Sequence, residues 1–229
     1  MKKSNWEKYY DENKNHKPYI VENIVAKIFL SKRPIPLLED YSFKDKEIID
    51  IGCGDGRHID FLSKLGFKTS GTEISLNKIE ELKSNFPKSD FILHDVKTLR
   101  SVKNRFDYLL AFNSIYYLNN DFKRIEDNIK LTSELLKEGG IYIATFAGSD
   151  HFVLKNATYL EDKSAILNTN HHQIEESIKI RPVYDKDDIK KIFSNFNLLN
   201  ILFIGETTDK VGDLNRHIFY VIAKKQKVK

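Results

Sequence analysis

Residues 47–56 read Glu47-Ile48-Ile49-Asp50-Ile51-Gly52-Cys53-Gly54-Asp55-Gly56. A short apolar run stops abruptly at glycines on alternate positions, which is the pattern of a buried strand ending in a sharp turn. Glycine admits positive φ and lets the backbone approach a ligand where a Cβ would clash. Ile59, Leu62 and Leu65 follow at helical spacing, with Gly66 placed to cap the helix at its C-terminus. That helix presents its N-terminal N–H groups to the space the turn opens. Strand, glycine turn and helix together predict a ligand site at the carboxyl end of a parallel strand.

Outward from this unit, strands and helices alternate. Phe67 to Glu73 reads as a second strand, and Ser75 caps a helix carrying Ile79, Leu82 and Phe86. Phe91 to His94 and Phe106 to Phe112 read as the third and fourth strands, the latter apolar on both faces. Asp121 is expected to start a helix with Phe122, Ile125, Ile129, Thr132 and Leu136 inward, stopped by Gly139-Gly140. Ile141 to Phe146 is the fifth strand. Asp185 or Asp187 caps a last helix, followed by strands at Leu198 to Ile204 and His217 to Ala223. The expected fold is α/β: a Rossmann-like seven-stranded, mostly parallel sheet with helices on both faces and an antiparallel final strand. Residues 1–36 are expected to form an N-terminal helical lid segment, and residues 37–229 the main domain. Residues 147–183, irregular and rich in His, Asn, Thr and Tyr, are expected as a substrate-binding insertion.

The chain has 229 residues, 41% hydrophobic and 31% charged, with a formal net charge of +4. That suits one globular domain with a real core. No apolar stretch reaches the ~20 residues that span a bilayer. The single cysteine, Cys53, allows no intrachain disulfide, and together with the polar N-terminus this favours a cytoplasmic location. The lysines at 224, 225, 227 and 229 account for much of the excess charge and read as a solvated end rather than a nucleic-acid site.

Glycine spacing narrows the ligand. A dinucleotide fingerprint reads Gly-x-Gly-x-x-Gly beside a pyrophosphate. Here the third glycine comes one residue earlier, and Asp55 places an acid where a pyrophosphate would be repelled. The run from Ile49 to Gly56 resembles motif I of the class I S-adenosylmethionine (SAM)-dependent methyltransferases, small-molecule type, usually written hydrophobic-Asp-x-Gly-x-Gly-x-Gly. The resemblance implies SAM as cofactor and S-adenosylhomocysteine (SAH) as product. It implies a cofactor site of Asp50, Gly52, Cys53, Gly54 and Gly56, with Glu73 and Ile74 at the ribose. Asp95 and Val96 fall at the adenine, and Asn113 in the segment under the sulfonium. A Trp-x-x-x-Tyr lead, here Trp6 to Tyr10, resembles a lid closing over SAM and adds Tyr10.

Acceptor and catalytic candidates rest on position. His151 follows the fifth strand at the ligand edge and is the first candidate base; Tyr117, close to the sulfonium, is the second catalytic candidate. Tyr116, His171, His172 and Arg181 are the substrate-binding candidates. Cys53 reads as a packing residue rather than a nucleophile. No metal is expected, because His171 and His172 are adjacent and no two-ligand helical spacing exists. Prolines are missing from Asn113-Ser114-Ile115-Tyr116, where amino-methylating nucleic-acid enzymes carry them, so nucleic acid is a disfavoured substrate. The expected activity is methyl transfer to a small molecule, with an anionic or sugar-linked metabolite of surface-polysaccharide or secondary metabolism favoured. A non-catalytic SAM-binding module and a protein methyltransferase stay open. A nicotinamide dehydrogenase is disfavoured by the glycine spacing, and an aminopropyltransferase by the want of its extra acid near the fourth strand.

Overall fold

A computed structural model describes residues 21–32, 36–103, 105–119, 122–168, 178–208 and 214–227. Its centre is β1 (Glu47–Ile51), flanked by β2 (Lys68–Glu73) and β4 (Phe106–Ala111), both parallel to it. Adding β3 (Asp90–Leu93), β6 (Leu136–Ala147), β10 (Phe196–Thr208) and β11 (Leu214–Lys225) gives a seven-stranded sheet ordered β10-β11-β6-β4-β1-β2-β3. Strand β11 is the antiparallel one, inserted between β6 and the edge strand β10.

Alternation along the strands divides the core in two. Ile49, Leu109, Tyr142, Ala144 and Phe146 point to one face. There they meet Ile125 and Ile129 of α5 (Ile125–Ser133) and Ile189 of α6 (Lys186–Ile192). Ile48, Tyr108, Leu110, Ile141 and Ile143 point to the other, where α1 (Asn23–Leu30) and α2 (Arg57–Lys64) cover them. In α1, Ile24, Val25, Ile28 and Phe29 are all buried, so this half of the expected lid segment is a core element instead. A third cluster packs Cys53 and Ile59 against Phe91 and against Ile79 and Leu82 of α3 (Leu76–Asn85). Ser75 caps α3 and Asp185 caps α6, as their types suggest.

Two stretches depart from the sequence expectation. Leu136 belongs to β6, opposite Phe106, and not to the preceding helix. The chain leaves α5 after Ser133, and Leu135 O accepts from Arg105 N and Phe106 N at 2.9 and 3.0 Å. The glycine pair lies inside the strand: the register jumps from Phe106↔Leu136 to Tyr108↔Ile141, and Gly139 takes up the extra residues at φ 76°. The described residues of 147–183 are more regular than their composition suggests. Among them, strands β7 (Thr158–Tyr159), β8 (Ala165–Leu167) and β9 (Ile178–Ile180) join β5 (Tyr117–Leu118) in a second, antiparallel sheet ordered β5-β9-β8-β7. Ala165, Leu167, Ile180 and Val183 are buried in the first core cluster, so the second sheet is anchored to the main one.

The glycine turn adopts the strained conformations its sequence permits. Gly52, Gly54 and Gly56 have φ of 66°, 55° and 76°. At Gly56 a Cβ would lie 2.5 Å from Phe86 Cε2, inside α3's packing surface. Replacing Gly56 with Ala combines a left-handed φ with this clash, a cost of about 1–3 kcal/mol. Thermal unfolding of the unliganded variant should show a fall of several degrees; an unchanged midpoint would mean that Phe86 and Leu82 yield freely.

Candidate active site

The carboxyl ends of β1, β2, β3 and β4 surround an open pocket. Its walls include Gly52, Glu73, Ile74, His94, Asn113, Ser114, Tyr117 and Asn128. Gly52 lets two of these walls meet: a Cβ there would lie 2.7 Å from Ser114 Cβ. Gly52 N donates to Thr72 Oγ1 at 3.0 Å, and Thr72 Oγ1 lies 3.0 Å from His94 Nδ1. The threonine oxygen accepts from Gly52 and still has a second lone pair and its own hydrogen, so its contact with His94 Nδ1 suits either neutral tautomer of the ring. Burial pushes the His94 pKa down to about 4, against a smaller opposing pull from Asp95. The ring is neutral at physiological pH.

Glu73 ends β2 with 3% exposure. Its Oε2 accepts from Gly54 N at 3.1 Å and its Oε1 from Ile74 N at 2.7 Å. The glycine turn thus fixes the carboxylate on the pocket wall. Asn113 has φ 51°, and its N donates to Thr145 Oγ1 at 2.8 Å. Buried Asn128 donates Nδ2 to Ile115 O at 3.2 Å, which leaves Oδ1 as an acceptor with no protein partner. Ser114 Oγ is likewise without a partner.

The other expected residues divide. Asp50 is buried below the turn, its Oδ2 3.2 Å from His58 Nδ1. Cys53 turns into the third apolar cluster, and burial, then the charges of Asp50 and Glu73, pushes its thiol well up. It is a packing residue, held in the turn by Cys53 N to Thr72 O at 2.9 Å. Asp95 caps α4 (Val96–Ser101) through Thr98 N at 2.9 Å and Thr98 Oγ1 at 2.6 Å, bonds that hold it below the usual carboxylate range. Val96 packs on the first core cluster. Of the tyrosine pair, Tyr117 lines the pocket while Tyr116 is buried, with ring centroids 4.9 Å apart and stacked. Burial pushes the Tyr117 hydroxyl up to about 12, so it is a donor at neutral pH and not a base.

Two candidates are drawn away from the pocket. His151 caps the 3₁₀ turn Phe152–Leu154, accepting from Val153 N at 3.2 Å, and does not line the pocket. Arg181 is 6% exposed and pairs with Asp188 at 2.7 Å. That pair ties the second sheet to α6. Tyr10, His171 and His172 lie outside the described residues. Asp55, the acid set against a pyrophosphate in the sequence reading, is paired with buried Lys78 at 2.5 Å. Burial works against the lysine's charge, but Asp55 and Glu81 outweigh it and hold its pKa up. The sequence reading missed Thr72, His94, Asn128, His58 and Lys78. Only His94 carried a signal, standing at a strand end beside Asp95.

A parallel sheet with a glycine turn, a fixed acid on the next strand and a pocket across their ends defines a Rossmann-like ligand site. The family profile described as "Methyltransferase domain" matches residues 26–202. The chain therefore belongs to the methyltransferase-domain family, within the class I SAM-dependent methyltransferases, and it spans only part of the length of the curated relatives it matches. It is 30% identical over 154 residues to the ubiquinone biosynthesis O-methyltransferase of Pelagibacter ubique, a match spanning 61% of this chain and 60% of that protein. An SAM-dependent methyltransferase from Anabaena variabilis superposes with TM-score 0.66 at 16% identity, covering 97% of this chain and 94% of the other. A Burkholderia thailandensis 1,6-didemethyltoxoflavin-N1-methyltransferase, solved with that compound and SAH, superposes with TM-score 0.57 at 14% identity, covering 80% and 72%.

Two measurements check the assignments made from geometry. The unfolded state binds a proton at His94 near pH 6.5, whereas the folded state does so only near 4. Stability from this residue is therefore complete above pH 6.5 and is lost as pH falls toward 4, by on the order of 3 kcal/mol. Urea unfolding of the native chain should show that slope, and His94→Asn should flatten it; equal slopes would contradict a buried neutral ring. Arg181→Met strips the buried Asp188 of its partner and should cost about 3–5 kcal/mol. Unchanged stability with weakened acceptor binding would instead make Arg181 a ligand residue.

Proposed function

We propose that this methyltransferase acts on a small-molecule acceptor bound beside the pocket at the carboxyl ends of β1, β2 and β4. The observation that carries the reading is Glu73, a buried carboxylate fixed by the glycine turn on the wall of an open pocket. SAM supplies an electrophilic methyl group on its sulfonium. The turn that begins at Gly52 would hold the methionine end, and Glu73, fixed on the pocket wall, would accept from the ribose hydroxyls. Asp95 retains unused lone pairs beyond its two bonds to Thr98, so it remains able to take the adenine amino group. The surface beside Ile74 suits the flat purine.

Little chemistry is asked of side chains. Methyl transfer needs alignment and desolvation, and positioning alone is worth about 7–11 kcal/mol in favourable cases. Asn113, locked to Thr145, and Tyr117, a protonated donor, orient the acceptor at the far side of the pocket. A base is needed only for acceptors that must lose a proton, and His151, the sequence candidate, does not line the pocket and is given no part in the reaction. The likeness to a ubiquinone biosynthesis O-methyltransferase supports a small acceptor. A protein substrate or a purely regulatory module differs in outcome: the first needs a polypeptide for turnover, the second binds SAM and turns over nothing.

Thermal shift with SAH, SAM and NADPH in parallel tests the reading. SAH at 100 times its dissociation constant should stabilise by about 2.7 kcal/mol. NADPH should give no shift, and Glu73→Ala should weaken SAH at least tenfold. Stabilisation by NADPH alone would overturn the cofactor site. Once an acceptor is in hand, His151→Ala should leave turnover and SAM affinity intact; slowed turnover with SAM affinity unchanged would return His151 to the mechanism.

A further inference from the structure

Most charged side chains near the site are matched with a near neighbour, as Asp55 is with Lys78 and Arg181 with Asp188. Arg57 and Arg216 differ, because both reach one carboxylate. Arg57 Nη1 lies 3.4 Å from Glu22 Oε1, and Arg216 Nη2 lies 3.3 Å from Glu22 Oε2. Arg216 Nη1 also lies 3.6 Å from Glu206, a carboxylate 64% exposed. Three separate elements meet here. Arg57 opens α2 directly after the glycine turn, Glu22 precedes α1, and Arg216 stands near the start of β11. Since β11 runs antiparallel, its start lies beside the end of β6, at the edge where ligands bind.

The cluster stands at the same edge of the sheet as the pocket. Arg57 directly follows Gly56, the last glycine of the turn whose Gly52 lines the pocket, and the start of β11 lies beside the end of β6. Tyr117, on the pocket wall, stacks on buried Tyr116.

Two guanidinium groups on one carboxylate are an arrangement suited to an anionic ligand. Glu22 fills it loosely. Its distances exceed the roughly 2.7–2.9 Å of a strong charge-assisted bond, and both arginines keep partial solvent contact. Glu22 gives α1 no side-chain cap, so its departure leaves the helix end unchanged. We propose that Arg57 and Arg216 form the anion-recognising end of the methyl-acceptor site, where a carboxylate or phosphate group of the acceptor takes the place that Glu22 occupies. This rests on the small-molecule reading above and names the class of acceptor.

Calorimetric titration of phenyl phosphate, benzoate and uncharged benzamide into the full chain tests it, with and without saturating SAH. At least one anion should bind at least tenfold more tightly than benzamide. Arg57→Gln and Arg216→Gln should each weaken that anion at least tenfold, with SAH affinity within twofold and circular dichroism unchanged. Arg216→Lys, which keeps the charge without the fork, should fall between, and Glu22→Gln should tighten binding. A preference for phenyl phosphate assigns a phosphate acceptor, and a preference for benzoate a carboxylate. Anion binding that is absent, or equal in wild type and both glutamine variants, overturns the proposal. Failure of the wild type to bind SAH overturns the cofactor site instead, and the titration without SAH still decides this one.

Discussion

The pocket depends on the missing side chain at Gly52. With no Cβ there, the segment after β4 closes onto the turn after β1, to where Ser114 Cβ stands 2.7 Å from the position a Cβ would take. The same residue starts a hydrogen-bonded relay, from Gly52 N to Thr72 and on to His94, which joins the ends of β1, β2 and β3. Asn113 and Thr145 do the same for β4 and β6. Strand ends held in this way form a site largely organised before a ligand arrives, which lowers the ordering cost of binding.

Charge is managed in the same economical fashion. The acid in the glycine turn is balanced by a buried lysine from α3, and the acid below it lies 3.2 Å from the ring nitrogen of His58 from α2. Glu73 is bonded instead by backbone N–H groups, whose dipoles stabilise the carboxylate without hiding it from the pocket. A buried histidine kept neutral and a tyrosine kept protonated add donors but no further charge. Such a lining suits a reaction in which a cationic sulfonium is consumed, because alignment rather than proton transfer carries most of the work.

The second sheet shows how a weakly patterned stretch becomes structure. Strands of two or three residues cannot bury a face by themselves. They form here because β5 supplies a template next to the site, and because Ala165, Leu167 and Ile180 reach the main core. Arg181 and Asp188 then lock this sheet to α6. An arginine that looked like a ligand residue in the sequence is thus a tie between layers.

The order of strands in the sheet was not legible in the sequence. The alternation of strands and helices, the burial of β1 and β4, the glycine turn and the acid ending β2 were legible around residues 47–73 and 106–112. Each depends on local rules: period-two burial, the backbone freedom of glycine, and the spacing from turn to next strand end. Helix ends were less legible, since Leu136 continues the helical spacing of α5 although β4 has already claimed it as a strand partner. The neutral His94, the pairing of Asp55 with Lys78, the burial of Arg181 and the meeting of Arg57 with Arg216 at Glu22 were decided only in three dimensions. Thr72 with His94, Asp55 with Lys78, and Glu22 with its two arginines stand 20 or more residues apart, and Arg181 meets Asp188, seven residues on, only once α6 has packed beside β9. A side chain's charge and exposure come from its neighbours in space, and one sequence records the neighbours only along the chain.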